Sequence, residues 1–165
     1  MGISVFTPAP FPRNERERSE AAKASGLLNR ISDPQLTGIV NEACHVLNSH
    51  WCGITLMIEE TQHVIASSGG MMGMFRRSTS LCSYAIHNPD DVFHILDAPN
   101  DERFAGNPFV DDGVICFFAA SAIRDRNGYA IGALCITDKA PRNAFLDEDA
   151  LTLQRFAHLI TESLS

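Results

Sequence analysis

The 165 residues predict an α/β (α+β) domain with one antiparallel sheet of five or six strands and helices on both faces. Three observations predict it. Helical spacing of apolar residues marks both ends of the chain, with strand-like runs between them. The two longest apolar runs, 114–123 and 129–137, flank an Asn127-Gly128 pair, a strong hairpin signal. Neither run alternates with polar residues, so both faces of the sheet must be covered, and helices are the natural covers.

Each element follows in order. Gly2, Pro8, Pro10 and Pro12 make residues 1–13 read as a flexible arm, which leaves 14–165 as the domain. A first helix is expected over 14–28, with Asn14 as cap and Glu15, Glu17 and Glu20 suiting its positive end. Its apolar side is thin (Ala21, Ala24, Leu27, Leu28), so it needs a partner. Asp33-Pro34 announces a second helix to about residue 48, carried by Leu36, Ile39, Val40, Ala43 and Leu47. Strands follow at 52–58 and 63–67, turning through Glu59, Glu60 and Thr61. Residues 69–77, GGMMGMFRR, read as a loop. Ser78, Thr79 and Ser80 offer caps for a short helix through Ile86. Residues 92–96 form a third strand, and 101–107 a turn or two of helix stopped by Pro108. A two-residue turn at Asn127-Gly128 sets Cys135 opposite Ala120 and leaves Cys116 too far along the strand for a disulfide. The last helix starts near Asp147. Leu146, Ala150, Leu153, Ala157, Ile160 and Leu164 form a heptad-like stripe on it, with Leu151, Phe156 and Leu159 as a second apolar side. One side then covers the sheet while the other meets a partner; the same pattern also fits a helix buried within one domain.

Composition excludes several classes. The net charge is −7, and Lys23 and Lys139 are the only lysines, so the surface repels phosphate backbones and nucleic acid is not an expected partner. No run approaches the ~18 apolar residues of a membrane span, and residues 1–11 lack the pattern of a signal peptide. The expected location is the cytoplasm, with no membrane partner. Five cysteines in apolar contexts, without a CxxC, are expected to be reduced and unbridged. Six histidines lack HxH or HxxxH spacing, so neither metal nor cofactor is expected.

Three segments carry a resemblance. Leu81-Cys82-Ser83-Tyr84-Ala85-Ile86 resembles the Phe-Cys-x-x-Ala-Ile segment of many bacterial GAF domains. Residues 97–108, DAPNDERFAGNP, resemble their Asp-Ala-x-x-Asp-x-Arg-Phe-x-x-Asn-Pro, and GALCITD at 132–138 with Pro141-Arg142 resembles their Gly-Thr-Leu-Cys-Val-x-Asp-x-x-Pro-Arg. The resemblance implies a GAF/PAS-like fold and a sensory domain in signal transduction that binds a small molecule or partner and has no catalysis of its own. Members commonly precede histidine kinases, diguanylate cyclases or phosphodiesterases, which implies a downstream output domain or protein. The chain stops within its last helix at Ser165, which leaves a stand-alone regulator and a part of a longer protein both open. A cysteine-based redox sensor or thiol enzyme using Cys82, and a dimerisation scaffold without ligand, are the alternatives. The bilin-binding branch follows its cysteine with His, where this chain has Ser83. The Asn-Lys-Phe-Asp-Glu set of cyclic-nucleotide binders and the cysteine settings of the free methionine sulfoxide reductases are absent.

The expected ligand cavity is bounded by residues 80–86, 97–107 and 116–120. Cys82, Tyr84, Cys116 and Phe118 are its candidate walls, and Asp97, Arg103 and Asn107 its candidate polar rim. Asp97, Asp101 and Arg103 equally suit a loop-shaping role. Related GAF domains often carry Arg at the position of Cys116, so an apolar or aromatic ligand is expected; an anion would have to rely on Arg76, Arg77 or Arg103. Met71, Met72 and Met74 suggest an adaptable lid. A homodimer through the first and last helices is expected, with Leu153 and Ile160 as its candidate contacts.

Overall fold

A computed structural model describes residues 6–164. Its elements are α1 (Glu15–Ala24), a 3-10 turn (Leu27–Arg30), α2 (Pro34–Val46), β1 (Trp51–Ile58), β2 (Thr61–Ser67), β3 (Gly73–Arg76), a second 3-10 turn (Arg77–Thr79), α3 (Cys82–His87) and β4 (Phe93–Ile95). Two further 3-10 turns (Ala98–Asn100 and Glu102–Phe104) lead to α4 (Pro108–Asp111), β5 (Phe117–Arg124), β6 (Ala130–Asp138) and α5 (Asp147–Glu162). The strands form one sheet in the order β3-β2-β1-β6-β5-β4, with antiparallel pairing throughout.

Local chemistry sets the boundaries. The expected first helix stops at Ala24 because Gly26 takes a left-handed φ of 83°, and the chain re-forms as a 3-10 turn. Asn14 occupies the cap position, but its side chain makes no capping bond. Asp33 does cap α2, accepting the Gln35 and Leu36 N–H groups at 2.8 and 3.3 Å. The expected loop at 69–77 contains β3, an edge strand on β2 that its glycines and methionines do not announce. Pro108 opens α4 instead of ending a helix: its missing N–H is harmless in a first turn, and Asn107 Oδ1 accepts from Phe109 N at 3.0 Å.

The β5–β6 hairpin keeps the expected register, with Ala120 opposite Cys135. Its turn is larger than the two residues expected. The Asp125 N–H bonds the Tyr129 carbonyl at 2.9 Å around the loop Arg126-Asn127-Gly128, where Gly128 supplies φ 90°. A bulge beside Arg124 absorbs the offset.

One face of the sheet is closed by long helices. Ile54, Leu56, Phe117, Ile123, Leu134 and Ile136 point into it, against Leu36 and Val40 of α2 and Leu153, Phe156 and Ile160 of α5. Leu153 and Ile160 are fully buried there. They therefore hold α5 on its own sheet and are not free to make the dimer contacts expected of them; Leu151 and Leu159 are the exposed apolar residues of this helix. The other face carries α3, α4 and the 3-10 turns at Ala98–Asn100 and Glu102–Phe104. Residues 6–11, expected to belong to a flexible arm, run over this second face: Phe6 and Ala9 are buried, and the Thr7 carbonyl accepts the Tyr84 hydroxyl at 2.8 Å. Residues 1–5 lie outside the described residues. Among those described, no helix is long and apolar enough to cross a membrane.

Candidate ligand cavity on the short-helix face

A cavity of about 330 Å³ opens between the sheet and this thin cover. Its origin lies in residue size. At cavity-facing positions β1 carries Gly53 and Thr55, and β6 carries Ala133, Cys135 and Thr137. The alternating residues on the helical face are Ile54, Leu56, Leu134 and Ile136. Small side chains below a six-residue helix and a four-residue helix cannot fill the space between. The floor is Thr55, Phe118, Cys135 and Thr137. Gln62, Val64 and Phe75 form one side, Thr79 to Cys82 with Phe109 the roof, and exposed His50, Gly69, Met71 and Lys139 the mouth.

The wall at Trp51, the sole tryptophan, is fixed by its neighbours. A Cβ at Gly53 would stand 2.2 Å from the indole, so the ring lies directly over this glycine. Its Nε1 donates to Ser67 Oγ at 2.8 Å. A Cβ at Gly132 would stand 1.9 Å from the Thr55 carbonyl oxygen, which explains the close approach of β1 and β6 beneath the floor. Polar groups are few. Thr55 Oγ1 donates to the Ala133 carbonyl at 3.3 Å. The Ser80 hydroxyl donates to Gln62 Oε1 and accepts from the Cys82 N–H at 3.1 Å. Lys139 is the only lysine or arginine in the lining.

Cys82 in the roof faces Cys135 in the floor, where α3 packs on β6. Hydrogen bonding from Cys135 holds the Cys82 thiol below its ordinary range against the effect of burial, with Thr55 and Ser80 adding to it. Cys135 shifts the opposite way, raised by that same Cys82 partner and by burial.

Behind the roof lies a buried ionic cluster. The Arg77 Nη1 and Nη2 atoms fork onto Glu15 at 2.7 and 2.9 Å, and Nη1 also reaches the Glu59 carbonyl at 2.8 Å. Arg18 approaches the same carboxylate at 2.9 and 3.1 Å and donates to the Met57 and Ala130 carbonyls. The Phe11 ring sits 3.9 Å from the Arg77 guanidinium. Burial raises the Glu15 carboxyl, but the hydrogen bonds and charges of Arg77 and Arg18 outweigh it and hold it below the ordinary value. Arg77 is thus an internal tie, which takes it out of the three arginines on which an anion would have to rely; Arg76 is exposed on β3.

Of the seven candidate cavity residues, Cys82 and Phe118 line the space and five do not. Tyr84 points away, stacked on Phe93 at 4.8 Å. Asp97 accepts from Asn100 Nδ2 at 2.8 Å, and Arg103 forks onto Asp101 at 2.7 and 3.0 Å in solvent. Asn107 is fully buried, capping α4 and donating to the Thr79 carbonyl at 3.0 Å, so it holds the roof from behind. Cys116 is half-buried outside the lining, its backbone bonded to Ala98 and Asp138. The physical reason is aromatic filling. Phe6, Tyr84, Phe93 and Phe104 pack at 4.8–6.2 Å over β4 and β5, where the cavity was expected. The space lies instead over β1, β2 and β6. Trp51, Thr55, Gln62, Thr137 and Lys139 were missed; the run of small residues at alternate positions of β1 and β6 was the signal for them.

Comparisons with known proteins agree with this architecture. A cyclic di-GMP phosphodiesterase of Pseudomonas aeruginosa is 31% identical over 157 residues, covering 94% of this chain and 26% of that protein. The chain thus spans about a quarter of that relative's length. Two solved structures share the fold. The GAF domain of an Acinetobacter phosphoenolpyruvate-protein phosphotransferase has a TM-score of 0.62 at 16% identity, over 88% of this chain and 91% of that one. A type II free methionine-R-sulfoxide reductase from Thermoplasma acidophilum has a TM-score of 0.61 at 18% identity, over 88% and 93% of the two chains. The GAF domain sequence profile matches residues 33–164, most of the chain, and with the sheet order and its two unlike covers this places the protein in the GAF domain family.

Proposed function

We propose that this domain is a small-molecule sensor of a bacterial signalling pathway, performs no catalysis of its own, and takes its ligand in the cavity over β1, β2 and β6. The observation that carries the reading is a space of about 330 Å³ floored by small residues in a domain whose other face is closed. The ligand is modest in size and mainly apolar or aromatic. It stacks against Trp51, Phe75 and Phe109 and places one polar end toward Gln62 or Thr137. Occupancy is conveyed through the roof. Thr79 ends the 3-10 turn that Arg77 begins, and Arg77 grips Glu15 at the start of α1. A ligand that displaces the roof therefore pulls on α1. The domain acts in the cytoplasm as a homodimer, through exposed apolar residues of its long helices, and hands its signal to an output domain or protein. The 31% identity to about a quarter of a P. aeruginosa cyclic di-GMP phosphodiesterase supports a place in signalling.

Trp51 supplies the test. Apolar and aromatic probe compounds are titrated against the reduced protein, following tryptophan emission and melting temperature. Binders are expected to change both, and Thr137→Leu to remove the change. A full probe set that moves neither signal transfers the reading to a scaffold without ligand, and binding that survives Thr137→Leu removes this cavity as the ligand site. Turnover of free methionine-R-sulfoxide or cyclic di-GMP by the isolated protein would replace sensing with catalysis.

A further inference from the structure

The five cysteines are expected to be reduced and unbridged, and the structure holds each as a free thiol. The fold nevertheless brings two of them together at one site. Cys82 is the first residue of α3 and Cys135 lies in the middle of β6, on which α3 packs. Both belong to the same core cluster, both line the cavity, and both are buried, at 3% and 2% exposed. The remaining thiols are placed differently. Cys52 sits on the helical face near Cys44, and burial pushes its thiol far up. The Cys44 thiol donates to the Ser49 carbonyl at 3.2 Å. Cys116 lies outside the cavity.

We propose that Cys82 and Cys135 are a dithiol site that closes to a reversible disulfide when a small hydroperoxide enters the cavity. This goes beyond ligand sensing, since it uses the cavity only as a way in and needs no other ligand. In the first step the Cys82 sulfur, as thiolate, attacks the terminal oxygen of the hydroperoxide. An S–O bond forms, the O–O bond breaks, and the alkoxide leaves as the alcohol with the proton that Cys82 gave up. In the second step Cys135 loses its proton and attacks the Cys82 sulfur. The S–S bond forms, the S–O bond breaks, and hydroxide leaves with that proton as water. The two thiols are oxidised by two electrons, and the hydroperoxide is reduced to alcohol and water. Cys82 is the attacking group because its neighbours favour the thiolate. Cys135 follows only after the first sulfur is oxidised. The bond would tie α3 to the floor and shift the roof that ends at Arg77.

The full reduced chain, treated with hydrogen peroxide or cumene hydroperoxide and then denatured and alkylated, provides the test. All but two cysteines are expected to alkylate, peptide mapping to join Cys82 to Cys135, and dithiothreitol to restore both. Cys135→Ser should form no internal bond and should leave at Cys82 a sulfenic acid that dimedone traps. Five alkylatable thiols after peroxide, or a bond mapping to Cys44 and Cys52, would overturn the proposal. A second measurement needs no variant: phenylarsine oxide, which requires two neighbouring thiols, should bind one per chain and protect this pair from alkylation. Protection of no pair, or of another pair, counts against it. Because the readout is the thiols themselves, it stands or falls apart from the Trp51 titration.

Discussion

The two faces of the sheet are made by the same strands yet solve different problems. Toward α2 and α5, β6 presents Ile131, Leu134 and Ile136; toward α3 it presents Ala133, Cys135 and Thr137. The first set meets long amphipathic helices and is buried in one continuous core cluster. The second set meets short helices and 3-10 turns and leaves room for a guest. Both sets are buried. Residue size and cover length divide a structural face from a receptive one, and neighbouring residues of one strand should therefore respond very differently to mutation.

The largest contrast is expected on truncation. Leu134→Ala, on the closed face, should cost about 2–5 kcal/mol, because the lost methyl groups leave a void that the helices cannot collapse onto. Thr137→Ala, on the other face, merely enlarges space that already exists and should cost less than about 1 kcal/mol. Urea denaturation of both variants checks this. Similar losses would mean that the cavity face is as tightly packed as its opposite.

Next comes the tie that joins the receptive face to α1. Glu15→Gln leaves the buried guanidinium groups of Arg18 and Arg77 without their shared counter-charge. The expected loss is up to about 3 kcal/mol, because Glu15 keeps some contact with solvent. The Glu15 carboxyl is lowered in the folded state. Its stabilisation is therefore present above the ordinary carboxylate value and is lost as pH falls through the lowered folded value. The wild-type advantage over Glu15→Gln should be constant near neutrality and shrink below about pH 4.3. A difference that does not change with pH would assign the effect to packing.

Filling is the converse of truncation and gives a smaller expected effect. Ala119→Leu inserts three heavy atoms into the closed face and should destabilise by about 1–3 kcal/mol. Thr137→Leu grows into the cavity beside Trp51 and Phe118 and should change stability by less than about 1 kcal/mol. It should also shift tryptophan emission, since Trp51 is the one indole.

How much of this was legible in the sequence follows from what each signal measures. Helical spacing located α2 and α5, and the apolar runs around Asn127-Gly128 set the hairpin register, because burial pattern and turn chemistry are local. β3 was missed because a short edge strand of Gly, Met, Phe and Arg needs only its partner β2 to form. The cavity was placed one strand pair away from its actual site. Cys82 and Phe118 proved to line it, but Phe6, read as part of an arm, fills the expected space together with Phe93 and Phe104. No local pattern reveals that an N-terminal phenylalanine will occupy a hollow formed around residue 104. The tie at Arg77 is hidden for a related reason: its partner Glu15 stands 62 positions away. The alternation of small and large residues along β1 and β6 was present throughout, but hydropathy treats Ala, Cys and Ile alike and so hides it.

The smallest expected effect on the monomer concerns the outer side of the closed face. Leu153 and Ile160 are spent on the sheet, so a partner can only use what α5 and its neighbours leave outside. Leu151 is 51% exposed and Leu159 is 43% exposed, with Val46 of α2 and Ile31 also exposed. Replacing both leucines by Gln removes apolar area already in water and should change the unfolding free energy of a monomer by no more than about 0.5 kcal/mol. If a homodimer buries this side, the same double variant should run as a monomer in light scattering, and its melting temperature should lose the concentration dependence of the parent. Ile160→Gln would give the opposite pattern, a large loss of stability whatever the oligomeric state. A parent that is already monomeric at tens of micromolar, or a double variant that stays dimeric, would remove this side of α5 as the interface and leave the closed face purely structural.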